Sequence, residues 1–146
     1  MPLLKDLKQH RILLDTHVWV WMMNGSTRLS KEFVRVCERA VETNRIFLSP
    51  LSIWELGMLV QKGRVELETD SLEWVDRSLE LSKIQLCPLS PRIAIQSTRL
   101  PGEIHGDPVD RLLIATAFEQ NLVLTTCDKK ILAYSSENLI STYDPS

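Results

Sequence analysis

The stretch Arg11 to Trp21, RILLDTHVWVW, places the tightest limit on the fold. Ile12, Leu13 and Leu14 are apolar at consecutive positions, a pattern that suits a strand covered on both faces, as in a parallel sheet packed between helices. The run stops at Asp15, passes through Thr16 and His17, and turns apolar again from Val18 to Trp21. It reads as a buried strand handing a carboxylate to the start of a helix. Ligands of such sheets bind beyond the carboxyl ends of the strands, where Asp15 falls. Asp and Thr are also preferred helix caps, and on this stretch alone capping is the simpler explanation of Asp15.

The rest of the chain repeats the alternation of strand and helix. Further strands are expected at Arg45–Leu48, Ile84–Cys87 and Leu122–Thr126, with a last short one at Leu139 and Ile140 and a short extended piece from Val65 to Thr69. Ser30 precedes a helix whose apolar stripe is Phe33, Val34, Cys37 and Val41. Ser49 and Pro50 cap and open a helix to about Lys62, stopped by Gly63. That helix is apolar nearly all round, which marks it as buried or at an interface, and Glu55 is its only charge before Lys62. Glu55 is therefore either a carboxylate in apolar company or an exposed member of a narrow polar strip with Ser52. Asp70 or Ser71 caps a helix to about Leu81 with Leu72, Val75 and Leu79 inward, and Pro88 and Pro91 frame a helix through Ile93, Ala94 and Ser97. After a turn-rich loop from Leu100 to Gly106, Asp107 and Pro108 are the natural cap and first residue of a core helix containing LLIATAF. Asp110 lies in its first turn, where the helix dipole favours a negative charge. At Leu122–Thr126 the Asp15 arrangement recurs: an apolar strand, then Cys127 and Asp128 at its carboxyl end. The expected architecture is a three-layer α/β/α domain with a mainly parallel sheet of four to five strands, one domain over 1–146, residues 1–10 an N-terminal extension and 141–146 a C-terminal tail.

Composition narrows the functional classes. With 44% hydrophobic and 25% charged residues the chain is that of an ordinary soluble domain, and no run approaches a membrane span or the apolar core of a signal peptide, so a cytoplasmic protein is expected. Cys37, Cys87 and Cys127 are widely spaced without a C-x-x-C pair, which suggests reduced packing residues. A net charge of −2 argues against holding nucleic acid by bulk electrostatics; any phosphate must be held locally.

In the expected fold Asp15 and Asp128 leave strand ends, while Glu55 and Asp110 lie early in helices on the same edge. Four acids converging there would repel one another without a divalent cation, and hard oxygen donors suit Mg²⁺ or Mn²⁺. The segments LLDTHVW (13–19), SPLSIWELGMLVQKGRVEL (49–67), HGDPVDRLLIATA (105–117) and LVLTTCDKKI (122–131) together resemble the PIN domain, and specifically VapC-type ribonuclease toxins, in order and at the expected spacing. The resemblance spans most of the chain. It implies an acidic site of Asp15, Glu55, Asp110 and Asp128, with Asp15, Asp110 and Asp128 as metal ligands and Glu55 as ligand or base. Asp107 is an additional acid that caps its helix, touches the metal through water, or both. Thr16 and Thr126 match polar positions that support the acids.

The same resemblance implies Mg²⁺- or Mn²⁺-dependent cleavage of RNA, a VapB-type antitoxin whose tail lies along an apolar groove, and a homodimer. The exposed parts of Trp19, Trp21, Met22 and Met23, or Trp54 and Met58, are candidate groove residues; ordinary core packing is the alternative for each. His17 and His105 are expected to be surface or capping residues. The acidic pI disfavours indiscriminate RNA binding, which leaves room for a structured target such as tRNA or rRNA, although no residue specifies one. Three other functions stand beside this one. A haloacid-dehalogenase-like phosphatase requires an acid two residues after Asp15, where His17 stands. A receiver domain requires paired acids after the first strand, which are not evident. A non-catalytic interaction module on the same fold requires none of the acids.

Overall fold

A computed structural model of the chain describes residues 7–104, 106–138 and 140–146. Its elements alternate as β1 (Ile12–Leu14), α1 (Thr16–Met23), α2 (Lys31–Glu42), β2 (Ile46–Leu48), α3 (Pro50–Gln61), α4 (Ser71–Ser82), β3 (Gln85–Leu86), α5 (Pro91–Gln96), α6 (Pro108–Gln120), β4 (Val123–Thr125), α7 (Lys129–Glu137) and β5 (Thr142–Tyr143). All pairings in the five-stranded sheet are parallel, in the order β3-β2-β1-β4-β5. The chain winds outward from β1 to β2 and β3, then returns to place β4 on the other side of β1. Strand order therefore reverses between β1 and β4, and the crevice at their carboxyl ends is where such a sheet accepts ligands.

Both faces of the sheet are covered, which explains the unbroken apolar runs. Ile12, Leu14, Ile46, Leu48 and Val123 point into one core, with Val18 and Trp19 of α1, Phe33, Val36, Cys37 and Ala40 of α2, Leu56 of α3 and Val75 of α4. Leu13 and Leu124 point into the other, with Val109, Leu113, Ile114 and Ala117 of α6 and Ile131 and Tyr134 of α7. Trp19 is fully buried, stacks edge-on against Trp74 at 5.2 Å, and donates its indole N–H to Ser78 Oγ at 3.0 Å. The fold is thus the expected α/β/α sandwich with a parallel sheet.

Several local expectations change. On α2 Phe33 and Cys37 are buried as expected, joined by Val36 and Ala40, while Val34 and Val41 are only half-buried. Of the stripe expected on α4, Val75 is buried and Leu79 packs against the core, but Leu72 is 69% exposed and Ser78 is buried beside Val75. Residues 65–69 form bends and irregular backbone and no strand. The third strand shrinks to Gln85–Leu86 at the sheet edge. The last strand lies at Thr142–Tyr143, two residues beyond the expected pair, of which Leu139 is outside the described residues. The expected C-terminal tail is structural: β5 pairs with β4, and the Pro145 carbonyl accepts the Ser30 N–H at 2.8 Å. Its polar composition concealed a strand whose stability comes from its partner. Helix α3 buries only Ser52 and Leu56, so the polar-strip reading of Ser52 fails, and Trp54 stands 58% exposed. The three cysteines are free thiols.

Replacement of Trp19 by Ala removes a fully buried aromatic and orphans the Ser78 hydroxyl, and we expect a loss of about 3–5 kcal/mol; Trp54→Ala, on an exposed face, is expected to cost within about 0.5 kcal/mol. Urea unfolding of both variants checks this, and equal midpoints would contradict the packing described.

Candidate active site

Asp15 follows the last residue of β1 and is 4% exposed. Its backbone N–H reaches across to the Thr125 carbonyl at 3.0 Å, continuing the β1–β4 ladder by one rung. Its carboxylate accepts the Thr16 N–H on Oδ1 and the Thr126 hydroxyl on Oδ2, both at 2.7 Å. The Thr126 hydroxyl in turn accepts the Asp128 N–H at 3.0 Å. One side chain just past β4 therefore aims the carboxylate just past β1 and fixes the backbone that carries the next acid. Asp128 caps α7, its Oδ1 accepting from the N–H groups of Lys130 and Ile131 at 2.8 and 3.2 Å. Asp107 caps α6 likewise, Oδ1 accepting from Val109 and Asp110 at 2.9 and 3.2 Å. Capping and presence in the site are thus not alternatives for Asp15, Asp107 and Asp128. Three helix N-termini face one crevice, each carrying its own carboxylate, and their N–H dipoles favour negative charge there.

Asp15, Glu55, Asp107, Asp110 and Asp128 line one cleft of about 300 Å³ together with Thr16, His17 and Trp21. Among the described residues lining it there is no lysine or arginine. The consequence appears in the carboxylates. Burial pushes Asp110 up to about 7, reinforced by the negative charges of Asp15, Asp107, Asp128 and Glu55. Burial also raises Glu55, against an opposing effect of the Thr16 hydroxyl and with added repulsion from Asp15 and Asp107. Asp15 is raised by burial too, although His17, the Thr126 hydroxyl and the Thr16 N–H all favour its ionised form. Asp107 and Asp110 make further contacts that complete their environment.

These groups suit a divalent cation by chemistry: hard carboxylate oxygens, charge in excess, and a buried Thr16 hydroxyl oxygen that is turned toward Glu55 yet closes no hydrogen bond of normal length. The acids ring the cleft without forming a finished cage; among the described residues no three His, Cys, Asp or Glu side chains are gathered closely enough to hold an ion by themselves.

His17 has a larger place here than its sequence position suggests. Its Nε2 accepts the Cys127 N–H at 2.9 Å, which puts the ring proton of the neutral imidazole on Nδ1, 3.7 Å from Asp15 Oδ2. The ring also packs edge-on against Trp21, with centroids 5.0 Å apart. An i, i+2 pairing of Asp15 with His17 carries no recognisable signal, because the bond that orients the histidine comes from the end of β4, far away in sequence. Trp19 belongs to the core, Trp21, Met22, Met23 and Met58 are half-buried, and His105 lies outside the described residues.

With this geometry in view, comparison with known proteins is direct. The family model for the PIN domain matches residues 12–136. The chain belongs to the PIN domain family, and within it is of the VapC type. It is 31% identical over 123 residues to Ribonuclease VapC22 of Mycobacterium tuberculosis, an alignment covering 84% of this chain and 91% of that protein. Its fold is similar to that in the crystal structure of VapBC2 from Rickettsia felis bound to a promoter DNA fragment (TM-score 0.65, 17% identity, 90% of this chain and 96% of that one). It is similar also to that of FitAcB from Neisseria gonorrhoeae (TM-score 0.64, 17% identity, 92% and 97%). At those identities the structural likeness speaks for the fold.

Two expectations follow from the site itself. A carboxyl group whose folded value lies near 7 holds a proton between its ordinary value of about 4 and that pH, so it favours the folded state increasingly as pH falls across that window. The thermal midpoint of the metal-free protein should therefore rise, relative to that of Asp110→Asn, on going from pH 8 to pH 5; a pH-independent difference between the two would contradict the shift. Thr126→Val leaves the Asp128 N–H and Asp15 Oδ2 without their shared partner and should destabilise by about 1–3 kcal/mol, with Thr126→Ser restoring most of it. Chemical denaturation distinguishes these outcomes.

Proposed function

We propose that the protein is a divalent-metal-dependent endoribonuclease, the toxin of a VapBC-type pair, acting in the cytoplasm and held inactive by a VapB-type antitoxin. The observation that carries this reading is the set of five acids lining a cleft without lysine or arginine at the topological switch point, three of them already committed as helix caps. The name of its relative, Ribonuclease VapC22, supports RNA as the substrate class, and the VapBC2 complex of a fold neighbour is in keeping with a VapB-type partner.

Asp15, Asp110 and Asp128 would hold Mg²⁺ or Mn²⁺, with Asp107 reaching it directly or through water. When bound, that ion acidifies an attacking water and stabilises the charge that builds on the phosphate. The chain's own residues do the rest. Thr126 and the Thr16 N–H keep the Asp15 carboxylate in one orientation, so no rearrangement of that ligand is needed as charge develops. His17 Nδ1 faces the same oxygen and steadies its negative charge. Glu55, raised by burial, is suited to accept a proton from the attacking water, since a base of raised pKa takes a proton more readily at neutral pH; the same carboxylate can serve as a ligand instead. The elevated Asp110 must lose its proton to bind a cation, so activity should climb with pH through the neutral range. The resemblance to VapC-type proteins further makes a homodimer the expected state.

Purified protein should cleave RNA in the presence of Mg²⁺ or Mn²⁺ and cease to do so in EDTA. Asp15→Asn, Asp110→Asn and Asp128→Asn should each remove most of the activity, by about 10–100-fold for loss of a metal-positioning carboxylate, while retaining a cooperative unfolding transition. Expression without a partner should arrest growth, and Asp128→Asn should relieve the arrest. Sequencing of RNA ends after brief induction of wild type and Asp15→Asn measures activity and names the target together. Undiminished cleavage by all three variants would leave only a non-catalytic binding role.

A further inference from the structure

A second groove of about 430 Å³ adjoins the acidic cleft and shares Trp21 with it. It lies between the end of α1 and the face of α2, and its wall includes Met22, Thr27, Lys31, Arg35 and Glu38. Its electrostatics are opposite to those of the cleft. Arg28 lays its guanidinium over the Trp21 ring at 5.1 Å, and Lys31, Arg35 and Arg39 continue from it at four-residue spacing along exposed positions of α2. Among the described residues none of these four cations forms an ion pair.

A polyanion engaged in the cleft creates a need that the cleft cannot meet. A metal ion there compensates the phosphate being cleaved, while the neighbouring phosphates face five carboxylates. Affinity must come from cations just outside, and with a net charge of −2 these must be local. The Trp21 groove, which shares that residue with the cleft, supplies them, and the Arg28 guanidinium laid over the Trp21 ring offers a planar surface on which an unpaired base stacks.

We propose that this groove is the path of the RNA strand next to the cleaved phosphate: Trp21 with Arg28 forms the platform for a flanking base, and Lys31 and Arg35 hold the adjoining backbone. This rests on the ribonuclease reading above. It makes Trp21 a positioning residue for substrate on one side and, through His17, a neighbour of Asp15 on the other. Base stacking on the platform of Trp21 and Arg28 favours an unpaired nucleotide at this position, so the strand enters as a single-stranded loop or end.

The test uses the full chain and a fluorescently labelled single-stranded oligoribonucleotide. Binding is measured by anisotropy in the Asp15→Asn background, and cleavage of the same oligonucleotide in the active protein. Combined Arg28→Ala, Lys31→Ala and Arg35→Ala should weaken binding at least tenfold and make its dependence on salt shallower by about 0.7 in log–log slope for each phosphate that the protein no longer neutralises. In the active protein the same change should raise KM far more than it lowers kcat. Trp21→Ala should weaken binding roughly tenfold, with Trp21→Phe recovering most of it, as stacking requires. Arg77→Ala on α4 controls for removal of a positive charge elsewhere and should bind as the parent does. If the active protein cleaves the oligonucleotide but the groove variants bind it normally, the groove is overturned as an RNA path and the nuclease reading stands. If the variants no longer bind an acidic peptide yet still bind RNA, the groove is a protein-docking surface and the proposal fails. If RNA is neither bound nor cleaved by the parent proteins, both readings fall.

Discussion

The Thr126 hydroxyl, donating to Asp15 and accepting from the Asp128 N–H, joins the two strands between which the sheet reverses its order. The backbone ladder brings β1 and β4 together, and the Asp15 N–H bond to Thr125 extends it to the edge of the crevice. Beyond that edge no regular pairing is available, and the chain must turn into α1 on one side and α7 on the other. A buried carboxylate at this point would be costly if it lacked hydrogen-bond donors. Thr126 and the Thr16 N–H supply them, and Thr126 at the same time sets the position of the loop that carries Asp128. Most of what the site can do depends on this small arrangement.

Its consequence is an economy of roles. Asp15, Asp107 and Asp128 satisfy orphan N–H groups of the helices that they precede, so each contributes to the fold as well as to the charge of the cleft. The opposing cost is electrostatic. Five acids share a space with no lysine or arginine in its described lining, and Asp110 rises to about 7 as a result of burial and their repulsion. A cation, or the guanidinium or ammonium group of a partner's side chain, would relieve this repulsion. The same physical need serves both the catalysis and the inhibition proposed for a VapC-type protein. The neighbouring groove, with its cations around Trp21, provides what the cleft lacks.

Legibility in the sequence follows locality. Ser30, Ser49, Asp70 and Asp107 are readable as caps because an N-cap acts within three residues of itself, and all four cap as expected. The strands β1, β2 and β4 are readable because burial on both faces leaves an unbroken apolar run. The edge strand β5 is not: its Thr and Tyr owe their strand to pairing with Leu124 and Thr125. Of the stripe expected on α4, Val75 is buried and Leu79 packs against the core, while Leu72 in the first turn is exposed, because helical periodicity gives the spacing of a stripe and not where along it the neighbour ends. His17 reads as peripheral in the sequence because its orienting donor, the Cys127 N–H, is 110 positions away.

By itself, the sequence determined the class of fold, the alternation of its main strands and helices, and which acids stand at strand ends and helix starts, since each is written in local apolar runs, caps and motifs. Only the tertiary structure decided that β4 lies beside β1, that Thr126 is the residue aiming Asp15, that His17 joins them, and that a cationic groove begins at Trp21 where the acidic cleft ends. The physical reason is the same in each case. Hydrogen bonds and charge repulsion act across a few ångströms of space, and the groups involved are brought within that range only when the sheet has formed.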